Sequence, residues 1–306
     1  MTATATAPAK KASSRRVKQG GLSEVRAGWF TKVLLGLLVV MWTVPTLGTI
    51  ITSFRTLDDA NTSGWWEVFY KPEYWSRLTF DNYIDAWNGA GASSANFGAS
   101  FLNSLAIALP ATFIPILIAA FAAYTFTFME FKGREVLFIL IVSLLVVPNF
   151  VAFIPLQNIY NNLEFVGFPK VWLAHIGFGM SLAIFILRNF MTTLPRSVIE
   201  SAKIDGASHY GIFYRLILPM SVPALAAFAI FQFLWVWNDL MVALVFLGPG
   251  ENEPVTVALT SLKGQLGQGW NLTTAGGILS MLVPVTVFLV LQRYFVRGLT
   301  AGAVKG

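Results

Sequence analysis

Six stretches of this chain are apolar for long enough to cross a lipid bilayer: residues 33–51, 101–121, 136–155, 172–190, 222–247 and 274–295. A hydrocarbon core takes about 20 residues of helix. Inside it the backbone must satisfy its own hydrogen bonds, which a helix does within one segment. The expected fold is therefore an all-α membrane protein with six transmembrane helices. Composition agrees. Hydrophobic residues make up 56% of the chain and charged residues 12%, where a soluble domain carries about 25% charged. The first run lacks a small-residue cleavage site behind a short apolar core, so it reads as a membrane anchor and not as a removable signal peptide.

Lysine and arginine set the orientation. With both termini cytoplasmic, the inside holds Lys10, Lys11, Arg15, Arg16, Lys18, Arg26 and Lys32, then Lys132 and Arg134. It also holds Arg188, Arg196, Lys203 and Arg215, and finally Arg293, Arg297 and Lys305. The outside keeps only Arg55, Lys71, Arg77, Lys170 and Lys263 of the 21 basic residues. That bias places both ends inside. The net charge of +6 is thus a topology signal and not the footprint of a nucleic-acid surface.

Several chemistries are excluded. Cysteine is absent, so disulfides and thiolate catalysis are out. His175 and His209 are too few for a histidine metal centre. No Gly-Lys-Ser or Gly-Lys-Thr occurs, so there is no phosphate-binding P-loop. The spans carry no paired acids or nucleophile constellation of an enzyme.

The expected organisation is a disordered basic tail over 1–28 and a transmembrane domain over 29–306. An outer loop, 52–100, is rich in aromatic residues (Trp65, Trp66, Tyr70, Tyr74, Trp75, Tyr83, Trp87), which suit a bilayer interface or an external partner. Thr79 or Asp81 caps a short helix there. The third outer loop, 248–273, is glycine rich and reads as a mobile surface segment, after a polar second one over 157–171. Pro110, Pro115, Pro148 and Pro155 allow kinks in the second and third spans.

The polar interruption at 192–221 is the least expected part of such a chain. Pro195 and Arg196 open a short helix with an apolar face of Val198, Ile199 and Ala202 and a polar set of Glu200, Lys203 and Asp205. Gly206 is placed to end it with a positive φ, and a second helix follows from Ser208 to Leu218. Small residues at Ser201, Ala202 and Ala207 admit close approach by another backbone. On physical grounds the segment is either a docking knob or an amphipathic connector lying on headgroups.

The segment resembles the EAA loop of ABC importer permeases. That pattern runs Glu-Ala-Ala, three residues, Gly, nine residues, then Ile-x-Leu-Pro. Here it is Glu200-Ser201-Ala202, Gly206, then Leu216-Ile217-Leu218-Pro219, departing at Ser201 and Leu216. The tail from Gly298 to Gly306 resembles the carbohydrate branch and its maltose-permease subunits, as do Ser53-Phe54-Arg55, Asn103-Ser104-Leu105 and Trp237-Asn238-Asp239.

The resemblance implies type I ABC importer permease architecture and a bacterial inner-membrane location. It also implies a set of partners: a second permease subunit (MalF-like), an ATP-binding ABC ATPase homodimer, and an extracytoplasmic sugar-binding protein delivering an oligosaccharide of maltose or α-glucoside type. ATP and Mg would sit on the ATPase, leaving this chain without a cofactor. Glu200, Ser201, Ala202, Lys203, Asp205 and Gly206 would couple to the ATPase, whose closure would move the spans as rigid bodies.

Sugar binding among the spans calls for amides and aromatic faces. The candidates are Asn103, Asn149, Gln157, Gln232, Trp235, Asn238 and Asp239, the last being the one acid expected within a span. Asn and Gln within spans also tie helices together. The rival class, an ion-driven secondary transporter, should show more intramembrane acids and an internal repeat.

Overall fold

The structure is a computed structural model that describes residues 28–89, 96–262 and 269–300, the last eight of these in backbone only. The expected tail through residue 27, the Lys263 and Gly264 region and residues 301–306 lie outside the described residues.

Among the described residues every regular element is a helix. The chain divides into two compact units between Thr46 and Leu47. The first contains most of α1 (Trp29–Ser53), a helix with exposed apolar side chains such as Leu37 and Trp42. The second begins with the end of α1 and runs through α2 (Leu57–Thr62), two 3-10 turns (Trp65–Phe69, Pro72–Arg77) and α3 (Asp81–Asn88). Next come α4 (Phe97–Phe128), α5 (Arg134–Ser143), α6 (Phe153–Asn162) and α7 (Phe168–Met191). The segment after α7 holds α8 (Arg196–Ile204), α9 (His209–Ile212), a π turn (Phe213–Ile217) and α10 (Leu218–Met220). It leads into α11 (Val222–Trp237), α12 (Met241–Phe246), α13 (Val255–Leu262) and α14 (Trp270–Thr300).

The second unit is built on α4, α7 and α11, with α14 against α11. Ala108, Ala111, Ala119, Ala120 and Ala123 are fully buried along α4. Their small side chains let neighbouring backbones approach, which is how spans associate where lipid removes the hydrophobic drive. Two apolar clusters occupy the two ends. One gathers Phe97, Ile107, Val171, Ala174, Phe233 and Trp237. The other gathers Ile116, Tyr124, Ile184, Leu187, Met191, Ala224 and Phe228. Since α4 and α7 start at the first cluster and end at the second, they run parallel. α11 runs the opposite way. Between the clusters the buried Gln232 donates Nε2 to the carbonyls of Ala111 (3.2 Å) and His175 (3.4 Å), joining all three helices.

Among the described residues four helices are individually long and apolar enough to span, α1, α4, α7 and α14, and two bent pairs raise the number to as many as six when each pair is counted as one span. The third run is therefore not a straight helix. Its α5 limb, Arg134–Val146, meets Asn149–Asn162 at 97°, because Val147 and Pro148 are extended and proline supplies no N–H to continue the ladder. The fifth run also departs from expectation. Its helix stops at Trp237, and α12 begins three residues after Asn238. At its start, His209–Met220 and Val222–Trp237 meet at 70°. Pro223, at the start of α11, has no N–H to give the Pro219 carbonyl across that break, while the clash of Pro219 with the Arg215 carbonyl four residues earlier is taken up by the π turn at Phe213–Ile217.

The segment after α1 is more ordered than a loop. Arg55, 2% exposed, donates to the backbone carbonyls of Asp59 and Ser63. Asn82 donates to the carbonyls of Ser53 and Arg55 and accepts from Asn271 of α14 at 2.7 Å. The N-cap of α3 is Phe80, not Thr79 or Asp81, though the Thr79 hydroxyl accepts from the Asp81 N–H. The glycine-rich 248–273 region is likewise not all surface loop. Its described part contains α13, with Val255, Val257, Ala258 and Leu262 buried, because VTVALTSL offers an apolar stripe that α4 and α14 cover.

Candidate functional site

The 192–221 segment sits at the second cluster's end of the unit. Its first helix, α8, opens after Pro195, an extended residue whose fixed φ suits a helix entrance. It ends in a complete Schellman motif. The Gly206 N–H bonds the Lys203 carbonyl (3.0 Å) and the Ala207 N–H bonds the Ala202 carbonyl (2.9 Å). Gly206 adopts φ +79°, a conformation that glycine alone takes without strain. The Ser208 hydroxyl then caps α9 by accepting from Gly211 N–H at 3.2 Å.

One side of this pair is anchored. Ile199, Ile212, Phe213 and Ile217 are buried among α4, α7 and α11 residues, each contributing about 1.5–3 kcal/mol of apolar burial. The Phe213 ring stacks on Phe121 at 4.3 Å. The Tyr124 hydroxyl, inside α4, hydrogen-bonds His209 Nδ1 at 2.9 Å. Nearby, Arg188 at the end of α7 pairs with Glu135 at 3.1 Å and lies 3.9 Å over the Phe138 ring, fixing α5 to α7.

The other side is bare. Glu200, Ser201, Lys203, Asp205 and Gly206 are exposed, Ala202 is half-buried, and Ile204 is 85% exposed. Among the described residues Glu200, Lys203 and Asp205 form no ion pair. A depression of about 250 Å³ lies between α8 and the α4–α5 turn, lined by Phe128, Glu130, Arg134, Arg196, Glu200 and Lys203. Another of about 430 Å³ is edged by Ser208, Tyr210, Tyr214 and Arg215. An apolar residue at a protruding tip, charges left uncompensated beside it and a cleft on either side form a surface shaped to be covered.

The candidate sugar contacts do not converge on one cavity. Asn103 Nδ2 bonds the carbonyls of Glu251 (2.8 Å) and Glu253 (3.1 Å) and so fixes the 248–254 turn to α4. Gln232 is the inter-helix tie described above, and Trp235 packs edge-on against His175 at 5.5 Å. Asn238 closes the end of its own helix through the Leu234 carbonyl. Asp239 lies in the α11–α12 break, where Oδ1 accepts from Val242 N–H at 2.7 Å and its carbonyl accepts from Thr256. The space beside it, lined by Ser104, His175 and Trp237, measures about 10 Å³ and admits no sugar. Asn149 and Gln157 stand apart on the bent α5–α6 pair, both half-buried.

The Tyr124–His209 bond and the Arg188–Glu135 pair were not legible in the sequence. Their partners are 85 and 53 residues apart, and no local pattern marks them.

An all-helical multi-pass unit with bent spans and a projecting polar helix pair is the architecture of a transport permease. The chain matches the family described as "Binding-protein-dependent transport system inner membrane component" over residues 115–301 and belongs to it. It is 52% identical over 88% of its length to the osmoprotective compounds uptake permease protein GgtD of Synechocystis sp., covering 89% of that protein. It is 50% identical over 83% of its length to the alpha-glucoside transport system permease protein AglG of Rhizobium meliloti, covering 68% of that one. A crystal structure of a bacterial ABC transporter involved in the import of the acidic polysaccharide alginate shares the fold, with TM-score 0.72 at 20% identity, over 87% of this chain and 95% of that one. The chain is thus a multi-pass inner-membrane permease of the sugar ABC importer type.

Proposed function

We propose that this chain forms half of the translocation pathway of an ATP-driven, binding-protein-dependent importer for an α-glucoside. A second permease subunit completes the pathway. A homodimeric ATPase that binds ATP and Mg docks beneath, and an extracytoplasmic binding protein delivers the sugar. The observation that carries the reading is the bare face of α8, with Ile204 85% exposed beside Glu200, Asp205 and the φ +79° turn at Gly206. Buried anchors on the opposite side make this helix pair a rigid handle on α4, α7 and α11. Movement of a docked ATPase would therefore reach the spans as a whole-body displacement. This reading puts the α8–α9 end, and both termini, in the cytoplasm.

The substrate class rests on the Rhizobium relative, an alpha-glucoside transport permease, and the Synechocystis relative, an osmoprotective compounds uptake permease, keeps other small osmoprotective compounds within reach. Proteoliposomes holding the full importer should accumulate maltose only with ATP inside. Uptake that persists with an ATPase partner unable to hydrolyse ATP, driven by a proton gradient, would overturn the reading in favour of a secondary transporter.

A further inference from the structure

The break between α5 and α6 is exposed at a depth where lipid cannot face it. Phe138 of α5 belongs to the second cluster. Phe153, just past the break, packs at 5.9 Å on Phe178, the midpoint of α7. The limb from Arg134 to Val146 rises about 20 Å from its charged start, well inside a hydrocarbon core of about 30 Å. There Val147 and Pro148 are extended, so neighbouring backbone groups lose their intrahelical partners. Val146 is 83% exposed and Val147 50%. Non-helical backbone at that depth survives only where protein buries it or a water-filled path wets it.

The exposed neighbours Val146, Val151 and Ile154 are apolar, and it is two amides beside the break that argue for the wet alternative. Asn149 is half-buried and, among the described residues, makes no side-chain hydrogen bond. Two turns on, Gln157 holds a buried Oε1 with no partner. An unpaired buried amide oxygen costs about 1–3 kcal/mol, a cost that rotation of the half-buried Gln157 side chain toward the break and a donor hydroxyl there would relieve. Between them Phe150 is 66% exposed; its contact with Phe153 is edge-on at 5.3 Å, which leaves a ring face open. Amides that exchange hydrogen bonds with hydroxyls, beside an open aromatic face, are the chemistry of a pyranose site.

We propose that the α5–α6 break is a sugar half-site, with Asn149 and Gln157 bonding hydroxyls and Phe150 stacking on a pyranose face. It rests on the α-glucoside importer reading and assigns this subunit direct contact with the substrate. The remaining candidates, Asn103, Gln232, Trp235, Asn238 and Asp239, are engaged within the fold.

The absence of cysteine permits a direct test in the complete importer, with maltose as the probe. Phe150→Cys and Gln157→Cys should react with a membrane-impermeant thiol reagent. Maltose at ten times its half-saturating concentration should slow that reaction about tenfold, as occupancy requires. Phe150→Ala and Gln157→Ala should raise the maltose KM about tenfold with the maximal rate within about twofold. Cysteines that never react mean that the second permease subunit seals the break, and the half-site falls. Reaction without maltose protection, or an unchanged KM, also overturns it. Maltose uptake by the wild-type importer separates the two proposals: present, with unaffected variants, it sinks the half-site alone, and absent, it sinks the α-glucoside reading with it.

Discussion

The Tyr124 hydroxyl and His209 Nδ1 lie 2.9 Å apart and join the last turns of α4 to the projecting helix pair. The phenol is 4% exposed, its ring packs on Phe213 at 5.3 Å and on Phe128 at 5.4 Å, and the imidazole meets it edge-on. Tyr124→Phe keeps those ring contacts and deletes one hydrogen bond, a net loss of about 1 kcal/mol. Local opening of α9 should therefore rise about fivefold. Hydrogen exchange of the 208–213 amides measures it, and unchanged protection would show that apolar anchoring alone holds the pair.

Two glycines of α7, two residues apart, should respond with opposite signs. A Cβ on Gly179 would lie 2.7 Å from Gln232 Oε1 and 2.8 Å from Nε2, and Gln232 has nowhere to retreat without leaving the Ala111 and His175 carbonyls. Gly179→Ala should cost about 1–3 kcal/mol. Gly177 has nothing within 4 Å of a Cβ, so Gly177→Ala should gain up to about 1 kcal/mol of helix propensity. Thermal unfolding of the purified protein in detergent would rank the two.

What the sequence made legible was short-range. Gly206 announced the end of α8 because a polar segment with a single glycine at the right offset has few other ways to turn. Pro148 marked a kink, but its size, 97°, depends on how Phe153 seats against Phe178 and Phe246, which only packing decides. The 222–247 run looked continuous because hydropathy averaged over Asn238 and Asp239. Both residues favour caps and turns, and that was the overlooked signal for the break. Gln232 read equally as ligand or glue, since its role depends on two carbonyls 121 and 57 residues away.

The Trp65–Phe69 turn should loosen in acid. Glu67 accepts from the Lys71 ammonium and from the Gly64 N–H, and these bonds hold its carboxyl below the ordinary 4.5. Lys71 is held above 10.5 by the same partner. A carboxyl lowered on folding adds stability that is present above its unfolded value and lost as pH falls through its folded one. The lysine's share persists until pH passes 10.5. Hydrogen exchange across 64–72, corrected for intrinsic rates, should show protection at neutral pH that drops below about pH 4. Glu67→Gln should flatten the profile.

Single cysteines in this cysteine-free chain can test the orientation. Ser76→Cys lies in the exposed Pro72–Arg77 turn and Ser208→Cys in the exposed turn between α8 and α9. In intact spheroplasts an impermeant thiol reagent should label the first and spare the second until the membrane is opened. Equal labelling of both before lysis contradicts the positive-inside assignment.

Docking and folding can be separated at the tip of α8. Ile204 is 85% exposed, so Ile204→Glu should leave the stability of the isolated protein within about 0.5 kcal/mol, as surface changes do. If the tip seats in an apolar cleft of the ATPase, the same carboxylate is desolvated without a partner, and the complex should weaken by more than tenfold. Gly206→Val attacks the same joint through the backbone. No atom crowds a Cβ there, but φ +79° is a strained setting for a β-branched residue, costing about 1–2 kcal/mol, and relief of that strain would swing α9 relative to α8. Both variants should therefore lose co-purifying ATPase while still reaching the membrane, Ile204→Glu with an unchanged melting temperature and Gly206→Val with a lowered one. Retention of the ATPase by both would move the joint away from α8.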